Sequence, residues 1–177
     1  MKMATKVTAF CNTCTLKWEY FFGETQELSM INLALNYIEQ NQKNLFVKEN
    51  FFEFINKSFS GKKDFESMPQ ETKNKSMELF YNQFVGMFSD EERTMLESNI
   101  LLKHNLEIYP IYLSSLPEDE RKVMNIPLLS LWFLNQEEYK RRYNPEIIYI
   151  QFTKEQDYLV CPKCQSMSAA VIAQDQV

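Results

Sequence analysis

A chain of 177 residues, 45% of them hydrophobic and 14% aromatic, can bury one proper core, so the sequence predicts a single domain over 1–177 and no disordered regime. Its net charge of −5 excludes a surface built as a general polyanion footprint, because phosphate binding needs concentrated Lys and Arg. Three glycines and one histidine exclude most Gly-rich phosphate loops and His-based motifs.

In chain order, "KVTAF" and "TLKWEYFF" favour strands on either side of Cys11 and Cys14. From residue 24 the pattern turns helical. Leu28, Ile31, Leu35 and Ile38 recur at helical spacing behind Thr25 as N-cap, and Phe51, Phe52, Ile55 and Phe59 form a second stripe ended by Gly61. Ser67 and Gln70 spell a capping box before Met77, Phe80, Phe84 and Phe88; Ser89 and Glu92 repeat it, predicting a further helix to about Lys103. The lone His104 then reads as an ordinary residue near a helix end.

Beyond Asn105 the signals mix. "LEIYPIYL" reads as an extended segment or an edge strand, because Pro110 lacks a ladder donor. Ser115 and Glu118 suggest a short helix, "IPLLSLWFL" fits a buried strand or two helical turns, and Asn135 caps a predicted helix "QEEYKRRY". "PEIIYIQFT" and "DYLV" form a predicted hairpin that delivers Cys161, and 166–177 is a tail or one weak helix.

Two Cys-x-x-Cys pairs thus stand near opposite ends of the chain. No apolar run reaches signal-peptide form or the roughly 18 residues of a membrane span, which predicts an intracellular, cytoplasmic protein with no membrane partner. In a reducing compartment such pairs favour a metal over disulfides, so Cys11, Cys14, Cys161 and Cys164 are the predicted ligands of one structural zinc, completed within one chain or shared between chains. A thioredoxin-type redox pair would need only one Cys-x-x-Cys, at a helix start; a catalytic zinc would need an open coordination position. The two knuckles, the second spelled "CPKC", resemble those of a four-cysteine zinc ribbon, although Thr15 and Gln165 stand where ribbon knuckles usually carry Gly.

The expected fold is therefore mainly α with a small β element (α+β). Zinc-ribbon-like segments 1–23 and 146–165 close around a helical insertion, 24–145, and 166–177 trails as a tail. The expected function is a non-enzymatic zinc-binding interaction or regulatory protein with a protein partner. The alternatives are a nucleic-acid-binding or transcription-associated zinc-ribbon factor, which the acidic balance disfavours, and an enzyme with a carboxylate site hidden in the helical part. Trp132 is the candidate docking anchor, and Lys140, Arg141 and Arg142, interleaved with tyrosines, are the candidate acidic-partner or phosphate contact. Self-association stays open.

Overall fold

The computed structural model describes residues 3–177; the first two residues of the predicted 1–23 segment lie outside the described residues. The elements are β1 (Thr5–Cys11), β2 (Lys17–Phe22), α1 (Gln26–Asn41), α2 (Lys48–Phe59), α3 (Lys63–Glu66), α4 (Gln70–Met87), α5 (Asp90–Ser98), β3 (Leu101–Leu113), β4 (Met124–Phe133), β5 (Tyr139–Lys140), β6 (Ile147–Tyr149), β7 (Tyr158–Leu159) and β8 (Ala169–Gln176), with a 3-10 turn at Glu118–Glu120. Five helices and eight strands in two curled antiparallel sheets, 35% helix and 30% strand, correct the expectation of a mainly α protein with a small β element. The fold is α+β. Among the described residues no helix is long and apolar enough to cross a membrane.

The chain divides into two compact units, one of Met1–Gln26, Asn105–Ser130 and Lys140–Val177, the other of Glu27–His104 and Leu131–Tyr139. β3 and β4 contribute residues to both.

The first unit is built on the sheet β2-β1-β8-β7. β1 pairs with β2 in the register Thr5↔Phe22 to Phe10↔Lys17, and on its other side with β8 from Thr5↔Gln176 to Cys11↔Ala169, with a bulge between Thr8 and Ala9. One face carries the core. Val7, Ala9 and Cys11 of β1 recur with the period of two that a pleat dictates, and they pack with Tyr20, Tyr112, Ile150, Leu159, Cys161 and Ala169. The Tyr20 hydroxyl donates to the Val160 carbonyl at 3.0 Å, so this fully buried ring is satisfied at its polar end. Most of the expected tail is thus the central strand β8. The expected hairpin forms only at its tip: Thr153 N–H donates to the Tyr158 carbonyl at 2.9 Å and Val160 N–H to the Gln151 carbonyl at 3.3 Å on either side of the Phe152↔Leu159 bridge, while β6 pairs with β3 (Ile111↔Tyr149) and β7 also pairs with β8 (Leu159↔Ala169).

The second unit holds the helices. Leu28, Ile31, Leu35 and Ile38 are buried on α1, as their spacing predicts. On α2 the buried set is Phe51, Phe54 and Ile55, so the stripe turns toward Phe54 and leaves Phe59 half-buried. Gly61 adopts φ 81° just past the end of α2, a conformation that glycine reaches without Cβ strain. The Ser89–Glu92 capping box is fully formed. The Ser67–Gln70 box is not, because Ser67 closes α3 and Pro69 precedes α4 without a side-chain cap. α5 stops at Ser98, where Asn99 turns extended, so His104 lies on β3 rather than near a helix end. Its ring is held by the Glu39 carboxylate and, at 3.1 Å, the Asn32 carbonyl oxygen.

All of the ambiguous "IPLLSLWFL" but its last residue lies in β4. Leu129, Leu131 and Phe133 are buried, and Leu128, Ser130 and Trp132 between them half-buried, which is strand alternation. The helix expected after Asn135 does not form. Asn135 takes φ 59° in a turn that follows β4, where Gln136 N–H donates to the Phe133 carbonyl at 3.3 Å, and only the two-residue β5 follows. The segment after Ser115 forms a single 3-10 turn without a side-chain cap.

Candidate metal centre

All four cysteines belong to the first unit. Cys11 is the last residue of β1, and its N–H donates to the Leu16 carbonyl at 2.9 Å while its carbonyl accepts from Thr15 N–H at 2.8 Å. The second pair repeats that pattern: Cys161 N–H donates to the Ser166 carbonyl at 2.9 Å, and Gln165 N–H to the Cys161 carbonyl at 2.8 Å. Residue for residue these are the same turn. Thr15 (φ 61°) and Gln165 (φ 59°) take the left-handed conformation at the two places where glycine is the usual occupant. Neither pair opens a helix.

The turn aims backbone donors at the leading sulfur of each pair. Cys14 N–H lies 3.3 Å from Cys11 Sγ, with Thr13 N–H assisting; the amides of Lys163 and Cys164 do the same for Cys161. The four sulfurs lie within 4.8 Å of one another, and Cys11 Sγ and Cys164 Sγ are 3.7 Å apart. A tetrahedral ion with metal–sulfur bonds of about 2.3 Å spaces its ligands by about 3.8 Å, so the cluster has the dimensions to hold a metal ion. The sulfur separation is far longer than the roughly 2.05 Å of a disulfide, and the thiols are free.

Electrostatics point the same way. Burial, a hydrogen bond with Cys164 and the charge of Cys161 push the Cys14 thiol up to about 12. Burial also opposes ionisation of Cys164, yet the Ser166 hydroxyl and backbone N–H, with hydrogen bonds from Cys14 and Cys11, bring it down to about 6. Cys11 is likewise lowered, the Ser168 hydroxyl and local amides outweighing burial, while burial leaves Cys161 raised. The cluster by itself thus ionises only in part, since every further thiolate meets its neighbours' charge in a buried site. A bound cation reverses that balance and deprotonates its ligands.

Several residues around the sulfurs escaped the sequence reading. Ser166 Oγ lies 2.9 Å from Cys164 Sγ, and Ser168 Oγ lies 3.3 Å from Cys11 Sγ and 3.1 Å from Thr13 Oγ1. The buried Trp18 Nε1–H makes no hydrogen bond of ordinary geometry; it is directed at Cys161, where it favours the thiolate. Arg121 braces the second knuckle from the β3–β4 connection, donating to the carbonyls of Leu116 (2.8 Å), Ser114 (3.3 Å) and Lys163 (3.3 Å), and Lys163 pairs with Asp119 at 3.1 Å. The spacing Ser-x-Ser that begins two residues after Cys164 was the one signal in the sequence that could have exposed the hydroxyl shell.

The other candidate residues stand elsewhere. Trp132 is half-buried on β4 in the second unit, with Lys103 Nζ 4.8 Å from its ring centroid. Lys140, Arg141 and Arg142 belong to the first unit, on β5 and the irregular segment after it; Lys140 and Arg142 are exposed, and Arg141 N–H donates to the Leu129 carbonyl at 3.0 Å. The predicted basic helix that would have displayed them together is absent. Comparison of the chain with protein-family models, with curated proteins and with solved structures returned no match.

The left-handed turn residues yield a first prediction. For a residue with a Cβ this conformation costs about 1–2 kcal/mol, partly offset in a glycine variant by about 0.5–1 kcal/mol of extra freedom in the unfolded chain. Thr15→Gly is therefore expected to stabilise the metal-loaded protein by about 0.5–1 kcal/mol, read from the urea midpoint. A loss of stability would show that the bond from Thr15 Oγ1 to the Cys14 carbonyl, 2.6 Å long, outweighs the strain.

Proposed function

We propose that Cys11, Cys14, Cys161 and Cys164 hold one structural zinc ion, and that the chain is a non-enzymatic, zinc-stabilised protein that binds a protein partner inside the cell. The observation that carries the metal reading is the duplicated knuckle, which gives four converging sulfurs from two distant stretches of chain. Thiolates are soft ligands and select zinc over the hard cations. Four of them fill a tetrahedron and leave no position for water or substrate, so the ion holds structure and does no chemistry. The amide, hydroxyl and indole donors around the sulfurs offset the negative charge that remains when four thiolates meet one dication.

A protein partner is supported by the outer face of the β2-β1-β8-β7 sheet. Phe10 stands opposite Ala170, and Ala170 opposite Tyr158, one row across three adjacent strands. Phe10 is 37% exposed, Tyr158 39%, and Ile172 on the same sheet 57%. Exposed apolar surface of this kind suits a protein contact better than a phosphate backbone.

Elemental analysis of protein purified without added metal should give about one zinc per chain. Cobalt(II) put in its place should show the strong charge-transfer absorption of a tetrathiolate site. A folded, metal-free chain whose four cysteines all alkylate freely would overturn the proposal.

A further inference from the structure

Residues of an antiparallel ladder alternate, one turning both backbone groups toward a given neighbour and the next turning both away. Cys11 N–H donates to the Leu16 carbonyl, and the register then runs Phe10↔Lys17 to Thr5↔Phe22. Trp18, Tyr20 and Phe22 therefore face β1, and Lys17, Glu19 and Phe21 turn their N–H and C=O groups to the opposite edge. Gly23 obeys the same parity: it exchanges both bonds with Ile108 of β3, at 3.1 and 2.8 Å.

That bridge goes no further for a covalent reason. The next pair would set Phe21 against Pro110, which has no N–H to give. The Pro110 carbonyl accepts instead from Ile150 N–H at 3.1 Å, and β3 continues as the partner of β6. β2 is left outermost in its sheet, and among the described residues no strand pairs with the edge formed by Lys17, Glu19 and Phe21. An open groove is lined by Lys17, Trp18 and Glu19 of this strand together with Lys122 and Val123.

We propose that this edge receives an extended acidic segment of the partner protein as an added antiparallel strand, an inference that rests on the protein-binding reading above. The outward N–H and C=O groups supply the backbone bonds, and the Lys122–Val123 wall confines the incoming chain to one strand. Lys17 and Lys122 set the charge of that strand, because Glu19, the one carboxylate in the groove, already has Lys6 at 3.7 Å. A second copy fits less well, since it would bring its own Lys122–Val123 wall to the same groove.

The test uses the full chain, with metal content measured on the same sample, and synthetic peptides of about ten residues alternating valine with glutamate or with lysine, the length of a long strand. The acidic peptide should bind and slow amide exchange at Lys17, Glu19 and Phe21. The lysine peptide should bind far more weakly, and a version of the acidic peptide N-methylated at alternate residues should not bind. Lys17→Glu with Lys122→Glu should weaken the acidic peptide by about tenfold. Glu19→Pro removes one outward donor while sparing the pairing with β1, and should abolish binding. Equal binding of both peptides, protection of other amides, no binding at all, or peptide-independent dimers protected at these amides each overturn the docking edge. A chain with one zinc that ignores the peptides refutes the edge alone, whereas a metal-free chain that binds the acidic peptide refutes the zinc alone.

Discussion

Cys161→Ser is expected to abolish tight metal binding and to destabilise the protein by more than about 3 kcal/mol, enough to unfold the β2-β1-β8-β7 sheet near physiological temperature. Cys161 is fully buried within the core that includes Cys11, Tyr20 and Ala169, so the serine hydroxyl keeps the Lys163 and Cys164 amides as donors but is too short and too hard a ligand to replace the thiolate. The larger cost is topological. The site joins Cys11 to Cys164 across 153 positions, and closing a loop of that order restrains the unfolded chain by about 4–5 kcal/mol in the chain-entropy treatment. Removing the metal with a chelator should reproduce the loss in the unmutated protein, and restoring zinc should reverse it for that protein alone. The measurements are the melting temperature and amide exchange across β8, which pairs directly with β1. A melting temperature unmoved by either treatment would mean that the knuckles do not staple the fold.

The same contrast between local and distant determinants explains what could be read from the residues. Each knuckle is a turn closed by its own backbone, and α1 buries its stripe because helical contacts repeat within a few positions, so spacing alone exposes both. The sheets are another matter. Ala169, Ala170 and Ala173 carry helical propensity, yet β8 is a strand because β1 lies on one side of it and β7 on the other. A small side chain suits that position, since Ala169 is paired with Cys11 and shares one buried cluster with Cys161. No periodicity within "AAVIAQDQ" announces a partner more than 150 positions away.

Prolines and asparagine misled for related reasons. Pro110 suggested an edge strand, but β3 lies inside its sheet between β4 and β6, and the missing N–H ends only the bridge begun by Gly23 and Ile108. Asn135 is a good helix cap and an equally good left-handed turn residue, and the strand before it decides between them. At Thr15 and Gln165 the departure from glycine left the knuckles intact, because the bonds that close each turn are made by the backbone.

Phe84→Ala is expected to cost the second unit about 3–5 kcal/mol, the usual loss for emptying a large aromatic site in a packed core. Phe84 is 1% exposed on α4, and its ring centroid lies 4.9 Å from that of Phe46, 5.4 Å from Phe51 and 5.2 Å from Phe88. Phe51 in turn meets Phe54 and Tyr81, so a void at position 84 removes contacts at the centre of a connected aromatic cluster. Rings have few rotamers with which to refill such a void, which places the expected loss toward the upper part of the range. Phe84→Leu keeps much of the volume and should cost only about 1–2 kcal/mol. Urea denaturation followed by far-ultraviolet circular dichroism at the helix band separates the two variants, and metal content should stay the same in both because all four cysteines lie in the other unit. An alanine variant within about 1 kcal/mol of the parent would show that this cluster relaxes freely and is not the core of its unit.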